Sequence, residues 1–440
     1  MNLEVRQHAA TGPEEAASAQ FEARAATLPG ASWVKELRSG AMARFAEAGL
    51  PHRRIEEWKY TDLRTAIRQL PAPASGEASG RGQPATLSAI EAHRIVIVDG
   101  GTPQLPDAIP GVEVTSLEAA LAEGDPAFRD LVSTWPRGVE SSVFDLNTAF
   151  MQTGAVIRVK ADTALDKPLH LAFVATGAEE ATLYARNILI VEDGAALTYV
   201  ESYEGPNGLA YHVNTATRFT VGDNARLAYV KLQRDGDEAV HLAAIGGEVG
   251  AGANLALSPF MIGGALSRNN VGLRFDGRDA VGNVAGVQML GARQHADTTL
   301  FVDHKEPACV SRELFKSVLD DRARGVFQGM ILVRKDAQET DGKMMSQALM
   351  LSDRSEMDNK PELEIYADNV QCGHGATTGA LDHNLLFYLR SRGIPESTAQ
   401  ALLIEAFIYE ALEAIGDEAI EAALSGYAHD WVSVRRDTAE

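Results

Sequence analysis

The middle of the chain repeats one pattern of apolar and polar positions. Residues 191–199 read VEDGAALTY, 221–229 read VGDNARLAY and 249–257 read VGAGANLAL. Each copy has a valine, a turn of Gly, Asp or Asn, an alanine, and then apolar residues at alternate positions: Leu197 and Tyr199, Leu227 and Tyr229, Leu255 and Leu257. Alternation places these residues on one face of a strand. The copies start 30 and then 28 residues apart, with weaker echoes at 276–284, 320–327 and 352–357. A unit of about 30 residues with two short strands and sharp turns is one coil of a parallel β-solenoid; a single coil cannot bury its apolar edge, so coils stack. Hairpins would give a turn signal every 8–12 residues or so without the longer repeat. The pattern predicts a mainly β protein with a β-helix core in which Leu197, Leu227 and Leu255 form an internal ladder.

Helical spacing flanks this core. Residues 12–70 read as helical, with Trp33, Leu37, Ala41 and Phe45 on one face, Ser32 as N-cap, and Gly49 and Pro51 as the stop. In residues 53–61, Trp58 and Tyr60 suit a helix that packs its aromatics on a neighbour, and residues 71–85 (PAPASGEASGRGQPA) have linker composition. The expected organisation is a helical region over 1–70, a linker over 71–85, a β-helix core over 86–380 with an αβ-like insertion near 117–135, and a helical region over 381–440. In the last region Pro395 suits a first helical position, Ala399, Leu402, Leu403, Ala406, Phe407 and Ile415 follow helical spacing, and 417–424 forms a second short helix.

Forty basic and sixty-one acidic residues give a net charge of −21. Phosphate neutralisation needs clustered Lys and Arg, so nucleic acid is not an expected partner. No apolar run approaches the ~18 residues of a membrane span, and the first residues lack a secretory pattern, so a cytoplasmic protein with no membrane association is expected. Cys309 and Cys372 are the only cysteines; in a reducing compartment both are expected to be free thiols. A resident iron–sulfur cluster normally needs four thiolates, so two cysteines do not suffice for one held by this chain's thiolates alone.

Candidate chemistry concentrates in residues 371–379, QCGHGATTG, where Cys372 and His374 stand two apart. Thiolate and imidazole both ligate borderline metals, and this spacing in extended chain puts them on one side. Continuing the alternation of Leu363, Ile365 and Ala367 (core) against Glu364, Tyr366 and Asp368 predicts that Cys372 and His374 face outward with Tyr366. A Cys-x-His pair alone is equally a strand end with a half-buried thiol, because closed zinc sites use two close pairs and no second pair is visible. His304 and Cys309 form a weaker candidate, better read as a turn at Pro307 with a buried thiol. Asp297 and Asp341 could imitate the carboxylate pairs of polysaccharide-cleaving β-helices, though solvated turn residues are the simpler reading. The chain has no phosphate-binding Gly-Lys-Ser/Thr loop, no Gly-x-Ser-x-Gly elbow and no His-Glu-x-x-His motif.

Residues 360–395, KPELEIYADNVQCGHGATTGALDHNLLFYLRSRGIP, resemble the signature of the SufB/SufD family of Suf iron–sulfur cluster assembly scaffolds. The Cys-x-His-Gly-Ala-Thr-x-Gly form followed by Leu381 and Asp382 is similar to the SufD branch; RIEEWKYT at 54–61 and FQGMILVRKDAQETD at 327–341 agree. The resemblance implies a right-handed parallel β-helix flanked by helices. It implies an assembly scaffold rather than an enzyme, with a transient Fe–S cluster built at an interface with a SufB-type scaffold. His374, with Cys372 beside it, would be this chain's metal-binding contribution. It further implies docking of the SufC-type ATPase on the C-terminal helices, around Leu402, Leu403 and Phe407, with nucleotide bound by that partner only. Pairing with SufB, pairing as a homodimer through the open end of the solenoid, or both, remain open on the sequence. So do two rival classes, a carbohydrate-active β-helix enzyme and a structural solenoid without metal ligands.

Overall fold

In the computed structural model, which describes residues 10–76, 83–177 and 180–437, the repeats form a parallel solenoid. Two sheets of nine strands face each other, and the chain alternates between them. Every neighbouring pair is parallel except the antiparallel pairing of Val112–Ser116 with Ala155–Val159. The register places Leu197 beside Leu227 and Leu227 beside Leu255, while Val191, Val221 and Val249 align in the facing sheet. These ladders lie inside the tube, where all six residues are buried in one continuous apolar core. Identical spacing in successive coils makes this possible, since each strand stacks one sheet spacing (~4.8 Å) from the last.

Helices cover the outside of both sheets. The helices Gly12–Arg24, Ser32–Ala48 and Ser142–Phe150 form an apolar layer with Tyr184, Leu242 and Leu266 of one sheet. On the other sheet, Glu396–Leu412 and Glu418–Asp437 bury Ile404, Ile408, Leu412 and Leu424 against Leu232, Phe260, Val287 and Val318. Leu117–Glu123 and Pro126–Ser133 supply the helices of the insertion.

Three local expectations change. Ala31, not Ser32, caps the second helix, and Ser32 is its first residue. Pro395 is the cap before Glu396, one position outside the helix. The last helix runs to Asp437 rather than stopping near 424, because Ala428, Trp431 and Val432 extend its buried stripe. In 53–61, Glu56–Trp58 is a single 3-10 turn; Trp58 is buried under the guanidinium of Arg268, 3.7 Å from the ring centroid, while Tyr60 is only half-buried. Of the stretch 71–85, residues 77–82 lie outside the described residues; ahead of them, Ala74 donates its N–H to the Thr182 carbonyl.

The two ends of the tube differ. At the first end, an antiparallel strand closes one sheet and Val96 bridges Gln104 beside the other. At the far end, Glu356–Ile365 and Gln371–Gly379 are the last strands of their sheets, and among the described residues nothing pairs with their outer edges. Long unpaired edges invite another strand.

Candidate functional site at the open end of the solenoid

Cys372 and His374 lie on the last strand of one sheet, Gln371–Gly379. Its register pairs Cys372 with Gly342 and His374 with Met344. Gly342 and Met344 face the interior: a Cβ on Gly342 would lie 3.6 Å from the inward-facing Ile331 and 3.7 Å from Cys372 Sγ. Cys372 and His374 therefore point along the inside of the tube at its open mouth, and the outward orientation expected from alternation is wrong. The reason is the corner. The preceding strand ends at Ile365, and residues 366–370 carry the chain across to the other sheet, which resets the parity. Leu363 packs on the core and Ala367 is buried in it, whereas Ile365, paired with interior Val333, stays 41% exposed because no further coil covers it.

Cys372 is half-buried against the core and His374 is exposed. Burial pushes the Cys372 thiol up; the Gly342 N–H opposes that shift, while Asp341 and Glu313 add to it. Among the described residues no group of three or more His, Cys, Asp or Glu could hold a metal. What this chain places at its mouth is one thiol and one imidazole.

The other candidates resolve into packing. His304 is fully buried, stacked on Phe275 and bonded through Nε2 to Ser311 Oγ at 2.9 Å, while Cys309 donates to the carbonyls of Gly277 and Pro307. Asp297 is buried against Arg268 and Thr61, and Asp341 pairs with Arg312 at 2.6 Å. On the C-terminal helix Leu402 is 44% exposed, Leu403 is half-buried, and Phe407 packs on the helix–sheet core beneath the Lys316 ammonium.

Sequence reasoning missed three features near the mouth. The helix His383–Ser391, capped by Asp382, falls within the expected helical region 381–440, but the exposure of its Leu385, Phe387 and Tyr388 does not follow from the sequence. Lys360 on the other edge strand reaches Glu56 at 2.5 Å, tying the 3-10 turn to the open coil. Glu313 lies buried in the interior with neither carboxyl oxygen hydrogen-bonded. An acidic residue at an inward register position was the available signal for it.

A parallel β-solenoid flanked by helices, with a thiol and an imidazole at its open end, is the arrangement the structure presents. In comparison with known proteins, residues 173–407 match the family described as SUF system FeS cluster assembly, SufBD core domain. The chain is 32% identical to the iron–sulfur cluster assembly protein SufD of Escherichia coli K12 over 378 residues, covering 85% of this chain and 87% of that protein. It is 31% identical to an iron–sulfur cluster assembly SufBD family protein of Synechocystis over 90% of both chains. With the chloroplastic protein ABCI7 of Arabidopsis thaliana it shares 25% identity over 86% of this chain and 82% of the relative. The chain belongs to the SufB/SufD family of iron–sulfur cluster assembly proteins, on the SufD side, and is a cluster-assembly scaffold. No helix among the described residues is long and apolar enough to cross a membrane.

Proposed function

We propose that this chain completes a metal site with a SufB-type partner at the open end of its solenoid, and that iron and sulfide are the cargo assembled there. The observation that carries the reading is the exposed His374 at the mouth of a tube whose last two strands have, among the described residues, no partner on their outer edges. A neutral imidazole needs no deprotonation to bind a metal, whereas the Cys372 thiol is held toward its protonated form by burial. His374 is thus the ready ligand, Cys372 the reserve, and a thiolate of the partner supplies sulfur. A site finished only across a seam opens when the seam opens, which suits a cluster that must be handed on. The same edge could pair two copies of this chain when the partner is absent.

ATP hydrolysis belongs to a SufC-type partner docked on the C-terminal helices, because this chain has no phosphate-binding loop. Leu402 and Tyr409 are exposed apolar residues of the helix Glu396–Leu412 and offer such a partner a contact. Movement of those helices on the sheet would carry the partner's cycle to the seam as a rigid-body shift. The reading is tested by purifying the tagged chain anaerobically with co-expressed partners and counting iron and sulfide. Co-purification of both partners with iron and sulfide in comparable amounts is expected; a stable complex that never acquires either would overturn it.

A further inference from the structure

The C-terminal helices rest on their sheet through an apolar layer, and one ammonium crosses it. Lys316 lies on the strand Val310–Leu319 with its side chain only 4% exposed. It shares its parity with Leu314 and Val318, which pack in the same layer as the helix Glu396–Leu412. Lys316 donates to Glu410 Oε2 at 2.6 Å and to Gln347 Oε1, and its Nζ stands 4.6 Å from the centroid of the Phe407 ring. Phe407 and Glu410 are three apart on the helix, so both reach the same point. Gln347 belongs to the next strand of the sheet, Asp341–Met350, and pairs in register with Thr377 of the last strand, three residues beyond His374. One side chain therefore joins the helix to the coil that carries the mouth. Its two polar partners differ in reach from outside: Gln347 is half-buried, whereas the Glu410 side chain is 64% exposed.

We infer that Lys316 is a positioning residue that ties the helix Glu396–Leu412 to the last coil, and that the Glu410 carboxylate is the half of this tie a docked protein reaches. Apolar burial has no direction, so an apolar layer alone tolerates small slides; a charge-assisted hydrogen bond fixes one arrangement. A cationic side chain of a docked partner that pairs with Glu410 takes it from Lys316. The ammonium cannot follow it outward, and an enclosed charge that loses its anion is costly. Either its bond to Gln347 tightens or water enters beneath the helix, and each disturbs the strand pairing beside Thr377. One ion pair is exchanged for another; no proton or electron moves. The inference rests on the proposed ATPase docking only for what pulls on Glu410. The tie itself belongs to this chain alone.

The test is amide hydrogen exchange on the full-length chain without partners, comparing peptides over 396–412 and 371–379 with a reference over 196–204, four coils away in the same sheet. Glu410→Gln alters an exposed residue and weakens the tie by removing one charge. It should speed exchange over 396–412 and 371–379 together by about 3–10-fold, the difference between a charged and a neutral acceptor, and leave 196–204 unchanged. Lys316→Met keeps the aliphatic stem and removes the ammonium. In that background Glu410→Gln should add less than about twofold, as a double-mutant cycle requires of two groups that act through each other. Gln347→Leu reads the tie from the strand side: there Glu410→Gln should still loosen 396–412 but no longer reach 371–379. Exchange over 371–379 at the wild-type rate in Glu410→Gln overturns the tie. So does a Glu410→Gln effect on 371–379 that persists undiminished in the Lys316→Met or the Gln347→Leu background. Either result leaves ATPase docking standing, because that is read separately by pull-down of the partner.

Discussion

Glu201 offers the sharpest test of how the interior is held together. It is fully buried, in the same strand parity as Leu197 and Tyr199, and accepts hydrogen bonds from Tyr203 (2.6 Å), Thr217 (2.7 Å), Tyr229 (2.9 Å), Tyr199 (3.1 Å) and Asn187 (3.4 Å). Four of these donors converge on one oxygen. Glu201→Gln keeps the shape but removes the charge and replaces one acceptor with a donor. Bonds to a charged acceptor contribute roughly 1.5–3 kcal/mol each, against about 0.5–1.5 for neutral ones, so a loss near 1 kcal/mol per bond is offset in part by relief of carboxylate desolvation. The expected net destabilisation is about 2–4 kcal/mol. The change also reaches Lys231. Burial lowers that ammonium to about 8, and Glu201 is among the charges opposing the shift. Below about 8 the folded chain must carry this buried charge with less support, so the deficit of the variant should be larger at pH 6 than at pH 9. Urea unfolding at both pH values is the assay. A midpoint unchanged at pH 6, or a deficit that grows toward pH 9, would refute the reasoning.

Arg268→Met should cost about 3–5 kcal/mol, because it leaves Asp297 buried without its cation and removes the guanidinium over Trp58; faster tryptic cleavage at Arg53, Arg54 or Lys59 is the accompanying readout. His170 and His212 are both lowered to about 4 by burial, so they fold as neutral rings. Their folded values lie below the unfolded one, so the stability they contribute is present above pH ~6.5 and is lost as pH falls toward about 4, by up to ~3 kcal/mol each. The unfolding midpoint should fall across that window, and replacing both with Gln should make the fall shallower, with buried His304, also lowered to about 4, still contributing. Leu402→Asp alters an exposed position and should leave the melting temperature unchanged while releasing a SufC-type ATPase in a pull-down. Retained binding would move the docking surface off that face. A point variant is preferable to removing the C-terminal helices, which would bare Leu232, Phe260, Val287 and Val318.

Much of the fold is written in the alternation. The repeat at Val191, Val221 and Val249 predicts the coil length and the register of the internal ladders, because a strand shifted by one residue would turn Leu227 out of the core. Alternation is a property of a strand and says nothing across a corner. Carried across the corner, alternation puts Cys372 and His374 on the outer side, whereas the five residues between Ile365 and Gln371 separate two strands of different sheets and turn the pair inward. The identity of the pair was legible from residue types and the signature, but its direction was not. The interior carboxylates were hidden for a different reason. Glu201 and Glu313 occupy inward register positions, yet a sequence does not show which donors another coil brings to the first or withholds from the second. The exposed apolar face of the helix His383–Ser391 is not legible in the sequence, because apolar spacing alone does not say what a helix face meets.

The claim on which the account turns is that His374 finishes a metal site across a seam. His374→Ala, introduced into the tagged chain and co-purified anaerobically with its SufB-type and SufC-type partners, tests it directly. His374 is exposed, so the variant complex should form in normal yield while its iron and sulfide content and its transfer of cluster to an apoprotein collapse. A variant complex that loads and transfers clusters as the wild type does would contradict the account.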